Sequence, residues 1–198
     1  PHNKSWEQMA RGLYGMLIVE EDKAPAVDRD LPFIADDWRI GKDGALDEES
    51  FGSLRDWSHA GRMGNWLTVN GLTEPDIPVR ANERIRLRLV NTANARILAF
   101  DFDPLVAQVI ALDGQPVPPW SPGPGGLTLA PAQRADVILD IAGQPGDTIP
   151  VWEVSTRQRL QAAQVVLSRE APLPKRPPDD IVVLPANARL PAPRIDGA

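Results

Sequence analysis

The sequence predicts an all-β fold, a sandwich of two packed sheets with extended segments at both ends of the chain. Three observations support this prediction. At least seven short apolar stretches are separated by turn residues, and hardly any stretch shows helical periodicity. The hydrophobic content of 42% in 198 residues is sufficient for a packed core. The 21 prolines are about twice the usual share, which favours turns and extended linkers.

Charge and cysteine content exclude several classes of function. The net charge is −6 and the isoelectric point is about 5.0, so nucleic acid is not expected as a partner. No apolar run approaches the roughly 20 residues of a membrane-spanning helix, and none is predicted. Cysteine is absent, which excludes disulfides, thiolate metal ligands and cysteine nucleophiles. The absence of cysteine leaves the cellular compartment open.

The first part of the chain contains three predicted strands, a linker and a long loop. In chain order, these are an apolar strand at 12–20, a polar linker at 23–30, a strand at 31–40, an extended loop with one helical turn from Ala45 to Gly64, and a strand at 65–71. A "GKDG" turn follows the strand at 31–40, and an Asn-Gly turn closes the strand at 65–71, because these residues tolerate positive φ.

The stretch "RIRLRLVN" has the clearest pattern in the sequence. Apolar and cationic residues alternate with a period of two, which is typical of a half-buried strand. The apolar set is Ile85, Leu87 and Leu89, and the cationic set is Arg84, Arg86 and Arg88. Because the protein is acidic overall, the arginine face is expected to be a solvated or interdomain surface rather than a nucleic-acid site.

The second part of the chain continues the β pattern and ends in a proline-rich tail. The predicted strand regions are "ARILAFDF", "AQVIALDGQPV", "LTLAPAQRADVILDI", "PVWEVST" and "LQAAQVVLS". Asp113-Gly114 predicts a hairpin turn. Residues 123–126, "GPGG", predict a turn rather than a phosphate loop, because neither Lys-Ser nor Lys-Thr follows. From Ala171 onward little is expected to pack, so the tail reads as a linker.

The chain resembles the multicopper oxidases of the three-domain, laccase-like type in five stretches that occur in the family's order. These are "PH" with "GLYGMLIVEE", then "LTVNG", "RIRLRLVNTANAR", "VIALDGQPV" and "LAPAQRADVILDI". The resemblance implies a cupredoxin-like Greek-key β-sandwich with extended N- and C-terminal segments. It implies four parts: 1–22, the C-terminal strand region of cupredoxin domain 1; 23–30, a linker; 31–170, a copper-free cupredoxin-like domain 2; and 171–198, a linker towards an absent domain 3.

The same resemblance assigns a role to His2. In the family, a Trp-x-His-x-His element precedes a Gln and a Gly-Leu-x-Gly sequence before an apolar strand. The matching residues here are Pro1, His2, Gln8, Gly12, Leu13 and Gly15. The resemblance implies that His2 is a type 3 copper ligand in the parent protein, and that the chain is a fragment beginning inside a copper-binding motif. The family more often has glycine where Ala132 stands.

The function implied by the resemblance belongs to the parent protein. Such an enzyme couples one-electron oxidation of a phenolic, amine or metal-ion substrate to four-electron reduction of dioxygen to water. It uses copper at a mononuclear site and a trinuclear cluster. In this chain no bound copper and no activity are expected, and its partners would be cupredoxin domains 1 and 3. The parent is expected to be exported, to the periplasm or the extracellular space.

Two other classes of protein remain open at this stage. One is a copper-free cupredoxin-fold structural or interaction protein of the cell envelope. The other is an unrelated β-sandwich binding module. The sequence that flanks this chain would discriminate among the three hypotheses.

The remaining residues that could take part in chemistry are predicted to have structural roles. His59 has no second ligand at a useful spacing and is expected on the surface or in loop packing. Asp36 and Asp37 are adjacent on a strand and point to opposite faces, so they are not an acid–base pair, and one is expected in an ion pair or turn contact. The strand 12–20 lacks the rest of its sandwich. It is expected to pack on the second domain or to pair with a neighbouring chain.

Overall fold

Two β-sheets packed face to face form the computed structural model, which describes residues 1–177 and 179–188. The strands are β1 (Arg29–Trp38), β2 (Trp66–Val69), β3 (Asp76–Val79), β4 (Arg84–Asn91), β5 (Leu98–Asp101), β6 (Val106–Leu112), β7 (Gln115–Trp120), β8 (Leu127–Leu129), β9 (Arg134–Asp140), β10 (Thr148–Glu153) and β11 (Leu160–Leu167). Outside the sheets lie the helices α1 (Ser5–Ala10) and α2 (Leu54–Ser58) and a 3-10 helix at Glu48–Ser50. The predicted all-β sandwich is confirmed.

The strands divide into a sheet of six and a sheet of five. The six-stranded sheet has the order β2-β1-β4-β9-β6-β7, and the five-stranded sheet has the order β3-β11-β10-β5-β8. β1 runs parallel to β4, and β3 runs parallel to β11, while the other paired neighbours are antiparallel. The chain passes repeatedly between the sheets, as in a Greek-key sandwich.

The hydrophobic core fills the space between the two sheets. Phe33 of β1 meets Phe100 of β5 across this space, with ring centroids 5.2 Å apart and an edge-to-face angle of 79°. Leu87, Val137 and Val165 pack in the same cluster and are almost completely buried. The apolar alternation predicted for the central strands therefore faces this core.

The other face of β4 differs from the prediction. Arg84 and Arg86 are only 2% and 1% exposed. Of the two expected alternatives, the solvated face is wrong for these two residues, because terminal segments of the chain cover this face of the six-stranded sheet and supply carboxylates to it. The interdomain alternative stays a prediction.

Two predicted turns, of which Asp113-Gly114 was predicted as a hairpin turn, are confirmed by their backbone conformation. Asn70 and Gly71 have φ of 52° and 77°, and Asp113 and Gly114 have φ of 49° and 77°. Positive φ at both central residues is typical of the type I′ turn, which matches the twist of the flanking strands. The "GPGG" stretch also forms a turn, closed by the Gly126 N–H donating to the Gly123 carbonyl at 3.0 Å.

The turn before β9 keeps a left-handed residue at Ala132, where the family more often has glycine. This residue has φ of +68°, a conformation that glycine adopts at little cost and alanine does not. The Ala132 N–H donates to the Asn91 carbonyl at 2.8 Å, which fixes the turn against the end of β4.

The strand predicted at 12–20 is not formed. Residues 12–22, named here the N-terminal strap, lie on the outer face of the six-stranded sheet without pairing to a strand. A strand needs a neighbour for its backbone hydrogen bonds, and none borders this segment among the described residues. The helix α1 was not predicted, because six residues are too few to show helical periodicity.

The proline-rich tail packs more than the sequence predicts. Residues 179–188, named here the C-terminal strap, have no regular secondary structure. Val182 and Leu184 are only 7% and 9% exposed and pack against Ile110 and Ile138 on the outer face of the six-stranded sheet. The expectation that little in the tail packs is therefore wrong here. The rest of the predicted linker, at 178 and 189–198, lies outside the described residues.

Candidate functional site

His2 is the only residue for which the sequence predicts metal binding, and it lies exposed just before α1. His59 is also exposed, with its Nδ1 2.8 Å from the Ser58 hydroxyl, so the expected surface position is confirmed. Across residues 1–177 and 179–188, the structure contains no group of three or more His, Cys, Asp or Glu side chains that could hold a metal ion. The described donors alone do not form a copper site.

The segment that carries His2 is held in place by an aromatic cluster. Trp6 of α1 contacts Trp57 of α2 edge-to-face at 5.7 Å, and it contacts Phe51 at 6.1 Å. The Asn94 side-chain amide donates to the Trp6 carbonyl at 2.6 Å. The loop at 45–64 therefore forms the bed for α1.

Two cations enclose the aromatic ring at the centre of this bed. The guanidinium groups of Arg11 and Arg62 lie 4.6 Å and 4.5 Å from the Phe51 ring centroid. Arg11 also reaches Glu48 at 2.8 Å. Cation–π contacts of this kind contribute about 0.5–2 kcal/mol each, according to their exposure. Together they connect the end of α1 to the loop.

The N-terminal strap is anchored at two points rather than along its length. Near its start, the Tyr14 hydroxyl donates to Asp36 at 2.6 Å. Near its end, Glu21 accepts two hydrogen bonds from Arg86, at 2.7 and 2.9 Å. Between these anchors Leu17 is 91% exposed and Val19 is 76% exposed. The strap thus presents apolar side chains to the outside.

Asp36 and Asp37 are separated in the way the sequence predicts. Asp36 accepts from Tyr14 on one side of β1, whereas Asp37 accepts from Arg96 at 2.7 Å and from the Gly64 N–H at 2.5 Å. Asp37 is thus the member of the pair that forms the expected ion pair. A Cβ at Gly64 would lie 2.6 Å from the Trp38 carbonyl oxygen, so this close approach requires glycine.

Burial controls the protonation of this pair. Burial raises the pKa of Asp36 to about 6, although the hydrogen bonds from Tyr14 and from the Asp37 N–H act against it. Burial also raises the pKa of the Asp37 carboxyl, and the bonds from Arg96 and Gly64 oppose this shift. Burial, followed by the bond to Asp36, raises the pKa of the Tyr14 hydroxyl. Tyr14 therefore remains a donor to Asp36 at neutral pH.

The arginine row, defined as Arg84, Arg86 and Arg88, is the most highly charged feature of the sheet face. Arg86 donates to Asp136 of β9 at 2.5 Å as well as to Glu21. Burial by itself lowers the pKa of Arg86, but the bonds to Glu21 and Asp136 outweigh it, so the net direction is upward. Arg88 forms two bonds of 2.7 Å to Asp30.

Arg84 has the corresponding contacts at the start of β4. It donates to both carboxylate oxygens of Asp140 on β9, at 2.6 and 2.9 Å. It also reaches the C-terminal strap, at 3.2 Å to the Asp180 carboxylate and 2.7 Å to the Asp180 carbonyl. The hydrogen bond to Asp140 is the main reason that the pKa of Arg84 is raised.

The two straps border a cavity on this face of the sheet. Its volume is about 910 Å³. The walls are formed by residues 16–23 and 184–188, and the floor includes Arg86, Arg88 and Asp136. The sequence pattern does not identify Tyr14, Glu21 or Asp180 as anchors. The one available signal was the alternating arginines of β4, which need carboxylates if they are covered.

Comparison with known proteins places this architecture in a family. Residues 29–163 match the family of multicopper oxidases (Cu-oxidase). The cell division protein FtsP of Salmonella typhimurium is 28% identical over 156 residues, which cover 75% of this chain and 31% of that protein. The chain spans about a third of the length of this curated relative.

Two solved structures resemble nearly the whole chain. A multicopper oxidase from Pseudomonas thermotolerans superposes with a TM-score of 0.82 and 28% identity, covering 95% of this chain and 43% of that one. Lac15, from a marine microbial metagenome, superposes with a TM-score of 0.73 and 38% identity, covering 98% of this chain and 46% of that one. On the match over 29–163 and on these superpositions, the chain belongs to the multicopper oxidase family.

Proposed function

We propose that this chain is the scaffold segment of a multicopper oxidase that oxidises a phenolic, amine or metal-ion substrate one electron at a time and reduces dioxygen to water. The observation that carries the proposal is the extent of the likeness to the Pseudomonas thermotolerans oxidase. It covers 95% of the chain and therefore extends beyond residues 29–163. In the whole protein, His2 is a type 3 copper ligand, and further ligands come from other parts of the protein.

The role of this chain within the enzyme is geometric. Segment 1–22 belongs to the first cupredoxin domain, 31–170 is the second domain, and 23–30 and 171–198 are the connections. The second domain holds its neighbours so that their ligands close one copper cluster. The aromatic bed of α1 supports this role, because it holds the backbone that follows His2 through Trp6 and Asn94.

A second candidate function is supported by the relative FtsP, which is named as a cell division protein. In this alternative, the parent protein is a copper-free cupredoxin-fold structural or interaction protein of the cell envelope. FtsP and the Pseudomonas thermotolerans oxidase are each 28% identical to this chain, so identity alone does not discriminate between the two functions. The histidine at position 2 favours the oxidase, because the alternative has no need of a ligand there.

Both candidates place the parent protein outside the cytoplasm, in the periplasm or the extracellular space. No helix within the described ranges is long and apolar enough to cross a membrane.

The partners of this chain are the first and third cupredoxin domains, together with the substrate of the parent. When those domains are not present, the apolar side chains of the N-terminal strap favour association between copies.

The test begins with the gene sequence on both sides of this chain. We expect Trp-x-His before Pro1 and a His-Cys-His element beyond Ala198. The purified gene product should then contain copper and consume dioxygen with a phenol as substrate. His2→Ala should lower both copper content and oxygen consumption. His59→Ala is the matched control and should change neither, because His59 is exposed and, among the described residues, bonds to its neighbour Ser58.

Two results would contradict the oxidase. The first is a gene in which the flanking ligands are replaced. The second is a His2→Ala variant with unchanged copper content and oxygen consumption. Either result favours the envelope protein, whose function would then lie in the macromolecule it binds.

A further inference from the structure

Both ends of the described chain bind to the same strand of the same sheet. The N-terminal strap contacts Arg86, and the C-terminal strap contacts Arg84. These arginines are two residues apart on β4, so their side chains emerge on one face about 7 Å from each other. The path into the domain and the path out of it are therefore fixed at neighbouring points.

Arg84 and Arg86 share one arrangement of partners. Each binds one carboxylate from β9, which is Asp140 for Arg84 and Asp136 for Arg86. Each also binds one carboxylate from a strap, which is Asp180 for Arg84 and Glu21 for Arg86. The carboxylate from β9 holds each guanidinium in the sheet, and the same guanidinium also donates to the strap.

Arg88 provides the contrast within the same row. Its partners are Asp30 of β1 and, at 3.7 Å, Asp136 of β9. Both partners belong to the sheet, and neither belongs to a strap. Arg88 is also more open to solvent, because its side chain is 15% exposed whereas those of Arg84 and Arg86 are 2% exposed.

The straps are also connected to each other through the linker that leads into β1. Arg176, at the start of the tail, contacts Asp28 at 3.0 Å. Asp28 accepts in turn from the Arg84 N–H at 2.8 Å. Burial raises the pKa of Asp28, but the bonds from Arg84 and Arg176 outweigh it and the net direction is downward, so Asp28 is ionised at neutral pH.

We propose that Arg84 and Arg86 are positioning residues that hold the N-terminal and C-terminal straps in one fixed relative orientation. The proposal rests on the scaffold function given above and names the residues that perform it. A guanidinium suits this role because its planar fork fixes the direction of a bound carboxylate as well as its distance. The neighbouring domains, which continue from the two straps, are then oriented through β4.

The test measures the distance between the straps in the 198-residue chain. Because the chain has no cysteine, two introduced cysteines accept nitroxide labels at defined positions. Leu17→Cys and Val183→Cys are suitable, since these side chains are 91% and 67% exposed. Pulsed dipolar electron paramagnetic resonance on labelled chain diluted with unlabelled chain then gives the distribution of distances between the two labels of one molecule. We expect a single narrow distribution in the otherwise unchanged chain.

Glu21→Gln and Asp180→Asn each weaken the charged contact between one strap and its arginine. Both leave the arginines bound to β9, so the sheet should keep its thermal stability as followed by circular dichroism. Losing a charge-assisted bond should lower the ratio of docked to undocked strap about tenfold. The distance distribution should broaden in each variant and broaden further in the double variant. Arg88→Gln breaks an ion pair inside the sheet and is the matched control. This variant should leave the distance distribution narrow.

Two results would overturn the proposal. One is a distribution in the double variant as narrow as that of the unchanged chain. The other is equal broadening by Arg88→Gln, which would indicate a general effect of sheet stability. The measurement needs no copper and no turnover. Its failure is therefore distinguishable from failure of the oxidase function, which is tested by copper content and oxygen consumption.

Discussion

Asp36 is the residue whose protonation most directly affects the N-terminal strap. It is 4% exposed and accepts the Tyr14 hydroxyl at 2.6 Å. The charges near it are the Asp37 carboxylate, which raises its pKa, and the Arg62 guanidinium, which lowers it. Burial is the dominant effect, and it brings the pKa of Asp36 to about 6. The neutral carboxyl is thus the form that the fold favours.

The first prediction concerns the stability of Asp36→Asn as a function of pH. The folded pKa of about 6 exceeds the usual value of 3.8, so the contribution of Asp36 to stability is fully present below pH 3.8 and is lost as the pH rises through 6. The free energy of unfolding of the unchanged chain, relative to that of Asp36→Asn, should fall by roughly 3 kcal/mol over this range. Urea unfolding followed by tryptophan fluorescence at several pH values measures the difference.

The control for this prediction is Asp28→Asn, for which the sign is reversed. The pKa of Asp28 is lowered, so its contribution is present above the usual pKa of 3.8 and is lost as the pH falls through the lower folded value. A stability difference for Asp36→Asn that does not change with pH would contradict the proposed effect of burial.

Among the elements, the C-terminal strap shows how a segment without secondary structure can be docked. Its apolar residues alternate in burial, from Ile181 at 52% exposed to Val182 at 7%, Val183 at 67% and Leu184 at 9%. This period of two matches an extended backbone lying flat on a surface. The buried pair covers Ile110 and Ile138 on the outer face of the sheet, apart from the main core.

The second prediction compares two neighbouring valines of this strap. Val182→Ala removes buried apolar surface and should weaken docking by about 1–2 kcal/mol. Trypsin cleavage after Lys175 should then become about tenfold faster, because cleavage follows the population of the undocked strap. Val183→Ala removes the same atoms from an exposed position and should leave the rate unchanged. Equal rates in the two variants would show that the buried valine does not hold the strap.

At the scale of the whole molecule, the N-terminal strap is the surface most in need of a partner. Four of its apolar residues are exposed to solvent: Leu13, Leu17, Ile18 and Val19. Two of the four edge strands, β3 and β7, contain prolines, at Pro78 in β3 and at Pro116, Pro118 and Pro119 in β7. Prolines on edge strands oppose pairing between molecules, so association is more favourable through the strap than through these edges.

The third prediction is that the 198-residue chain associates with itself through the strap. Sedimentation velocity should show a mass that rises with protein concentration. Leu17→Lys should restore the monomer, because it places a charge in the apolar patch. Leu54→Lys is the control, since Leu54 is 78% exposed but lies on α2. A monomer at every concentration, or the same effect from Leu54→Lys, would contradict association through the strap.

The sequence by itself determined the two sheets, the main strands and the turns. The alternation in β4 and the Asp113-Gly114 pair are local patterns, because side-chain period and backbone dihedral preference depend on residues close together in the chain. The same local order of stretches also indicated the family and gave His2 its proposed role. The positive φ of Ala132, by contrast, was not determined by the sequence, because alanine does not favour that conformation.

Only the tertiary structure decided what covers the arginine row and which path the N-terminal strap takes. Glu21 lies 65 residues before Arg86, and Asp180 lies 96 residues after Arg84. Nothing in the sequence near either arginine specifies such a partner. The apolar stretch at 12–20 has the local pattern of a strand, yet a strand forms only where a neighbour completes its hydrogen bonds. Pairings between distant residues depend on packing, which a local pattern does not encode.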